Sequence, residues 1–484
     1  FSTTRSMHGP MFFPHYRGLS GVGDFLPKAC CKERMKYESD AKFSRRQRRQ
    51  LYYGRRWYGP LLVCILALPV FAYYFHTEIR PTVIFGLRDD YARAIPFQEI
   101  PVGLESLKAE ECGQCHQEIY EEWKTSIHAH AYKDPFFQAY WKKDDNIWVC
   151  LNCHTPLENQ QPTLIQRIPN GRVEKAVQIQ NPMYDHEYQQ EGVTCAACHV
   201  RNGVILGPFD DSAAPHPTEF DPAFRTKDMC YRCHNVVSGP FQFYKVGPCG
   251  TYTEYEGEYF MKEKGYICQT CHMPEVSRPV AKGGPIRQGR RHLWRGGHDP
   301  DMIKRAVAIQ VQANPPNPKS GETVNMTLTL INAGAGHKIP TGDPDRHFTV
   351  EFYVKDKKGD VLEEQTETMG RWILWQPVIL ELYDNRLLPL ASRDYQFSYE
   401  IPQGQEDLVM EARVRYHILT DGQHSMLRET YGLRADDPYR FEIYRREFPL
   451  SEQLSVALSQ QPVNPQIGCS KDSANQVSMH GSLG

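Results

Sequence analysis

Residues 57–77 form 21 consecutive positions without a charge, apolar at the centre from Leu61 to Leu68 and aromatic at both ends. That is one membrane-spanning length, and it predicts an N-terminal transmembrane helix. From Met302 onward the pattern changes to strict alternation, at 307–312, 323–330, 348–354, 395–401 and 409–416. These runs predict half-buried strands. Turn-forming segments separate them at 314–318, 357–360 and 402–405, with no strong amphipathic helix between, so a β-sandwich of the immunoglobulin-like kind is expected over 302–450. Between these two regions no period is sustained. Residues 109–301 predict short helices and irregular segments, and 451–484, rich in Ser, Gln and Asn, predict a flexible tail.

The chain has 484 residues, a formal charge of −2 and 40% hydrophobic residues. This balance gives no reason to expect nucleic acid, and the length suits two or three domains. What changes the picture is 15 Cys beside 19 His. Ten of the cysteines fall in five copies of one motif: Cys112-Gly-Gln-Cys115-His116, Cys150-Leu-Asn-Cys153-His154, Cys195-Ala-Ala-Cys198-His199, Cys230-Tyr-Arg-Cys233-His234 and Cys268-Gln-Thr-Cys271-His272. Two thiols at this spacing can add to the two vinyl groups of one haem while the adjacent histidine reaches the iron. Zinc knuckles would need four-ligand sets and give no reason for a histidine directly after each pair. The expected cofactors are therefore five covalently bound haem c groups. The motifs begin 38, 45, 35 and 38 residues apart. Macrocycles this dense leave little room for an ordinary side-chain core, so the haems themselves are expected to fill the interior of a pentahaem domain, 109–301.

Eight Lys and Arg between Lys36 and Arg56 precede the apolar stretch. Positive charge on that side places the basic segment, 35–56, in the cytoplasm and the haem motifs in the periplasm or outside the cell, on a single-pass protein of the cytoplasmic membrane. A cleavable signal peptide is the alternative, since Val70-Phe-Ala72 offers a processing site. Residues 1–34 carry no periodicity, and Met35 stands ahead of the basic segment as a candidate start; 78–108 reads as a linker.

The second axial position of each iron separates a wire from a catalyst. Ten further histidines lie between Cys112 and Leu450: His128, His130, His186, His216, His292, His298, His337, His347, His417 and His424. His128 and His130 follow the first motif on a helical segment. His216, between prolines, and His298, after two glycines, lie where the backbone can approach a macrocycle. His337 sits in Gly334-Ala-Gly-His-Lys-Ile-Pro-Thr-Gly342, a glycine-rich interruption of the strand pattern that calls for close approach to a large neighbour. His128, His216, His292, His298 and His337 are the candidate distal ligands; His347 and His417, within strands, read as structural. Cys249, in a Gly-Pro-Cys-Gly turn, reads as a free, unreactive thiol.

The segments Trp123-Lys-Thr-Ser-Ile-His-Ala-His-Ala131, Glu191-Gly-Val-Thr-Cys-Ala-Ala-Cys-His199, Ala214-Pro-His-Pro217 and Cys268-Gln-Thr-Cys-His-Met-Pro274 resemble the periplasmic multihaem cytochromes c related to the tetrahaem cytochrome that accepts electrons from hydroxylamine oxidoreductase, and the loop 334–342 resembles a β-domain often appended to them. The resemblance spans about two-thirds of the chain. It implies bis-histidine haems in close stacked pairs and an electron-transfer role, with His128 and His216 at the family's distal positions. Five motifs, the apolar stretch and the extra domain depart from that family and leave the redox partners open. The expected function is thus a membrane-anchored electron relay, a carrier rather than an enzyme, with no catalytic residues assigned. The alternative is an oxidoreductase acting on a small inorganic nitrogen or sulfur compound at one open haem, for which His130, His186 or His292 could serve as proton donors.

Overall fold

The computed structural model describes residues 59–75, 87, 89, 91–450 apart from short gaps (172, 211–212, 237–248, 259–260, 262, 375–379 and 406), and 457–458. The expected N-terminal extension and basic segment, and nearly all of the tail, lie outside the described residues. Two compact units are present, 1–74 and 75–484.

In the first unit residues 59–74 are helical. Among the described residues no helix is long and apolar enough to cross a membrane. This corrects the expected transmembrane helix: at 1.5 Å per residue the described helix reaches about 24 Å, short of a hydrocarbon core of about 30 Å.

The second unit mixes helix and sheet throughout, which corrects the expectation of a mainly α and irregular haem region. Three small sheets lie among its short helices. β1 (Thr163–Arg167) pairs antiparallel with β2 (Val177–Gln180). β3 (Val200–Arg201) and β5 (Thr218–Phe220) flank β4 (Val204–Gly207). β6 (Glu275–Pro279) pairs with β7 (Ile286–Arg290). Sequence patterning hides these strands because they are two to five residues long, too short to establish a period. The helices are equally brief. Four of the five motifs are single turns whose last residue is the motif histidine: Leu151–His154, Cys195–His199, Tyr231–His234 and Cys268–His272.

Beyond Pro300 the strands are β8 (Val307–Asn314), β9 (Thr323–Asn332), β10 (His347–Lys355), β11 (Val361–Met369), β12 (Arg371–Leu374), β13 (Leu380–Asp384), β14 (Ser392–Glu400), β15 (Val409–His417), β16 (Arg440–Pro449) and β17 (Ala457–Leu458). They form one sheet ordered β11-β10-β15-β16, a second ordered β14-β9-β8-β17, and a separate hairpin β12-β13. Phe352 of the first sheet stacks on Phe397 of the second at 5.5 Å. The expected immunoglobulin-like sandwich is corrected on two counts. An 11-residue helix, Asp421–Tyr431, stands between β15 and β16, capped at its start by the Thr420 side chain and at its end by Gly432 in the left-handed region (φ 80°). Its polar composition conceals it from a search for apolar stripes. The core is also shared: Phe136 and Ala139, from the helix Pro135–Lys143 of the motif region, are buried among the strand residues Val350, Phe352 and Met410. The largest apolar core of the unit lies there. Within the motif region the apolar clusters are far smaller, the best holding Ile95, Leu107, Leu157, Tyr188, Ala196, Ala197 and Val200.

Candidate haem-binding cavity

All ten motif cysteines and all five motif histidines line one cavity of about 3870 Å³. A single-ligand pocket occupies roughly 300–1,000 Å³, so this space suits several large groups side by side. Contacts between thiols of different motifs set the motifs next to one another. Cys112 touches Cys195, Cys153 touches Cys233, and Cys230 touches Cys268. Cys198 also lies within electrostatic range of Cys233. The first motif is therefore beside the third, and the fourth beside the second, third and fifth.

Four of the five motif histidines are oriented by backbone carbonyls. Nδ1 of His116 bonds Val280 O at 2.6 Å, that of His154 bonds Ala131 O at 2.7 Å, that of His199 bonds Leu206 O at 2.8 Å, and that of His272 bonds Arg295 O at 2.6 Å. A donor proton fixed on Nδ1 leaves Nε2 free for a metal. Burial lowers the pKa of His154 and His272 to about 4, and that of His199 and His234 in the same direction. Such imidazoles are neutral at neutral pH, the form that ligates iron.

Three motif histidines face a second imidazole. Ring centroids are 6.3 Å apart for His199 and His292, 6.3 Å for His234 and His128, and 6.4 Å for His272 and His337. Iron–nitrogen bonds of about 2 Å, plus roughly 1 Å from ring nitrogen to ring centre, put two trans imidazoles of one haem about 6 Å apart. The three pairs match that span, and the residues fit haem. His292 and His337 also direct Nδ1 to carbonyls, Arg290 O at 3.0 Å and Lys338 O at 2.8 Å. Burial lowers His128 and His292 to about 3.

Neither His116 nor His154 faces a second imidazole at this spacing among the described residues. His216 lines the cavity with its Nδ1 buried and unpartnered. His298, expected as a ligand, instead packs 5.9 Å from Phe136 with its Nε2 3.4 Å from Arg346. His130 and His186 are exposed. His347 and His417 stack on each other at 4.4 Å across β10 and β15, away from the cavity. Among the described residues no group of three or more His, Cys, Asp or Glu converges as a bare metal ion would require; a haem iron takes only two ligands from the protein.

Residues that sequence reading passed over hold this arrangement. Glu122 is buried and accepts from both terminal nitrogens of Arg278 (2.8 and 2.7 Å), from Arg291 (3.0 Å) and from the backbone N–H of His292 (2.9 Å). Trp294 stands between two distal-side imidazoles, 4.7 Å from His128 and 5.0 Å from His292. A tryptophan two residues beyond a candidate ligand was the available signal; the carboxylate in a run of glutamates gave none.

The fold is similar to that of a solved multihaem cytochrome c. The solved structure of a penta-heme cytochrome c552 from Thermochromatium tepidum is similar to this chain, with a TM-score of 0.52 and 21% identity over 71% of this chain and 98% of that one. At that identity the likeness speaks for the fold. Partial matches to β-glucuronidase 2 of Bacteroides uniformis (8% identity, 23% of this chain and 11% of that chain, TM-score 0.14) and to Spo0M of Bacillus subtilis (10% identity, 23% and 43%, TM-score 0.11) carry no argument. No family model and no curated protein matches the chain.

Proposed function

We propose that the protein is an electron-transfer relay on the periplasmic side, holding five covalently bound haem c groups through its five cysteine pairs. Bound haems supply single-electron redox chemistry; the chain's own residues fix their spacing and set their potentials through ligands, burial and nearby charge. The observation that carries this reading is the set of three imidazole pairs at haem spacing inside one cavity lined by every motif. His199 with His292, His234 with His128 and His272 with His337 would each hold one haem iron between them. The resemblance to the tetrahaem acceptor of hydroxylamine oxidoreductase agrees with a relay, and donor and acceptor are proteins still to be identified.

Intact-mass analysis of the holoprotein tests the haem count, with five haem masses expected and fewer counting against five sites. Ferric-state spectroscopy tests the ligation, with low-spin signals from at least three haems expected. A wholly high-spin spectrum would sink the paired assignment. A second reading, turnover of a small inorganic nitrogen or sulfur compound at an open haem, is favoured by His116 and His154, which lack a facing imidazole among the described residues. Steady-state reduction of nitrite, hydroxylamine or tetrathionate by reduced viologen separates the two, since a relay alone gives no turnover.

A further inference from the structure

Arg346 carries a guanidinium with an unmet need. Its Nε is shut off from water and has no hydrogen-bond partner. Its other nitrogens reach Thr341 O at 3.1 Å and His298 Nε2 at 3.4 Å, and among the described residues it forms no ion pair. The residue lines the cavity. A cation withdrawn from water in this way calls for an anion.

Space around the fork is reserved. A Cβ on Gly297 would fall 2.6 Å from Nη1 of Arg346 and 2.9 Å from the Tyr416 hydroxyl, and one on Gly342 (φ +87°) would fall 2.8 Å from Nη1. The carboxylates of Asp134 and Asp343 feel the guanidinium without pairing with it, and burial pushes both up to about 6 despite its attraction. The chamber adjoins the second motif, and Arg346 also lies within electrostatic range of His234 of the fourth. Phe136 packs on His298 while its neighbour Phe137 stacks on His154 at 3.7 Å. Cys249 lies within electrostatic range of both Cys150 and Arg346.

We propose that Arg346, with His298 beside it, is the receptor for a carboxylate-like oxyanion next to the second motif. A planar guanidinium pairs its parallel N–H bonds with two anionic oxygens. Two sources share this chemistry: a free inorganic oxyanion entering the cavity, or a carboxylate of the macrocycle held at Cys150 and Cys153. The proposal rests on the haem reading above.

The test uses ferric holoprotein whose haem sites have been mapped by mass spectrometry, titrated with sodium nitrite by difference spectroscopy and separately with reductant by potentiometry. If the source is free, wild type gives a saturable spectral change and Arg346→Gln raises half-saturation at least tenfold. If the source is the macrocycle, nitrite is silent, and Arg346→Gln moves one haem's reduction equilibrium about tenfold toward the ferric form, about 59 mV for one electron. In that case Arg346→Lys, which keeps the charge but not the fork, restores only part of the shift. Should Arg346→Gln fail to assemble, Gly297→Ala, which crowds the fork and keeps the charge, is expected to change the same readouts. Nitrite silent or undiminished in the variants with all potentials unchanged overturns the anion site while leaving the haem reading intact. Full restoration of the potential by lysine also overturns it, since a field effect without a bound anion would suffice. A second motif that carries no haem in the mass map overturns the haem reading and this proposal together.

Discussion

The imidazole of His337 lies 6.4 Å from that of His272, centroid to centroid, and within 12° of parallel. One comes from the fifth motif and the other from the loop between β9 and β10. What holds the loop is a buried charge network. Arg386 donates to Glu254 at 2.7 Å and to Asp384 at 2.9 Å, Lys338 pairs with Asp384 at 2.7 Å, and the Thr341 hydroxyl donates to Glu254 at 2.6 Å. Replacing His337 by Ala is expected to convert one haem from low-spin to high-spin, read in the ferric electron paramagnetic resonance spectrum. An unchanged spectrum leaves His337 without a ligand role.

Glu254→Gln should be severe for its size. The side chains of Glu254 and Arg386 are 1% and 3% exposed, and without the Glu254 charge Arg386 keeps only Asp384, which it shares with Lys338, so the cost falls below the about 3–5 kcal/mol of a wholly stranded buried charge. Denaturant unfolding measures the loss. The same variant should broaden or shift the His337-dependent haem signal, because Thr341 loses a charged acceptor.

Glu122→Gln is expected to act on the third motif through His292. The amide can still accept from the His292 N–H but no longer neutralises both Arg278 and Arg291, so the segment that carries His292 loosens. A fall in thermal midpoint together with a perturbed His199–His292 haem signal is expected; loss of stability with every haem signal unchanged would confine Glu122 to a structural role.

Acidification should weaken the sheets at the stacked pair His347 and His417. Burial, then the neighbouring His347, lowers His417 to about 4, below its ordinary value near 6.5. The unfolded chain therefore takes up this proton at higher pH than the folded one. Stability is fully present above about pH 6.5 and declines as pH falls toward 4, by about 1–2 kcal/mol once solvent screening is allowed for. His417→Gln should flatten that part of the pH–stability curve, as seen in urea midpoints between pH 7 and 4.5.

The Cys249 thiol is free, and burial pushes it up to about 12. At pH 8 it holds almost no thiolate, the nucleophilic form. Iodoacetamide should leave it unmodified in the folded holoprotein and label it on denaturation, as peptide mapping would report; rapid labelling of the folded chain would contradict the burial.

The motif arithmetic was legible in the sequence because thioether chemistry demands residue types at fixed spacing, and the strand runs 307–312, 323–330, 348–354, 395–401 and 409–416 because a sheet with one buried face imposes a period of two. The loop 334–342 announced itself through glycines where a strand should continue. The sequence could not say which histidine faces which. Partner choice depends on how short helices and two- to five-residue strands pack around a shared cavity, and such elements carry too little periodicity to place. His292 and His298 look alike in the chain, six residues apart, yet one faces His199 and the other turns to Arg346. The fusion of the motif region with the β sheets was hidden for the same reason: Phe136 and Ala139 show their burial only against strands more than 160 residues away. Composition and spacing determined the chemistry; long-range packing decided the pairings, because only three-dimensional contact brings two imidazoles to within one haem's thickness of each other.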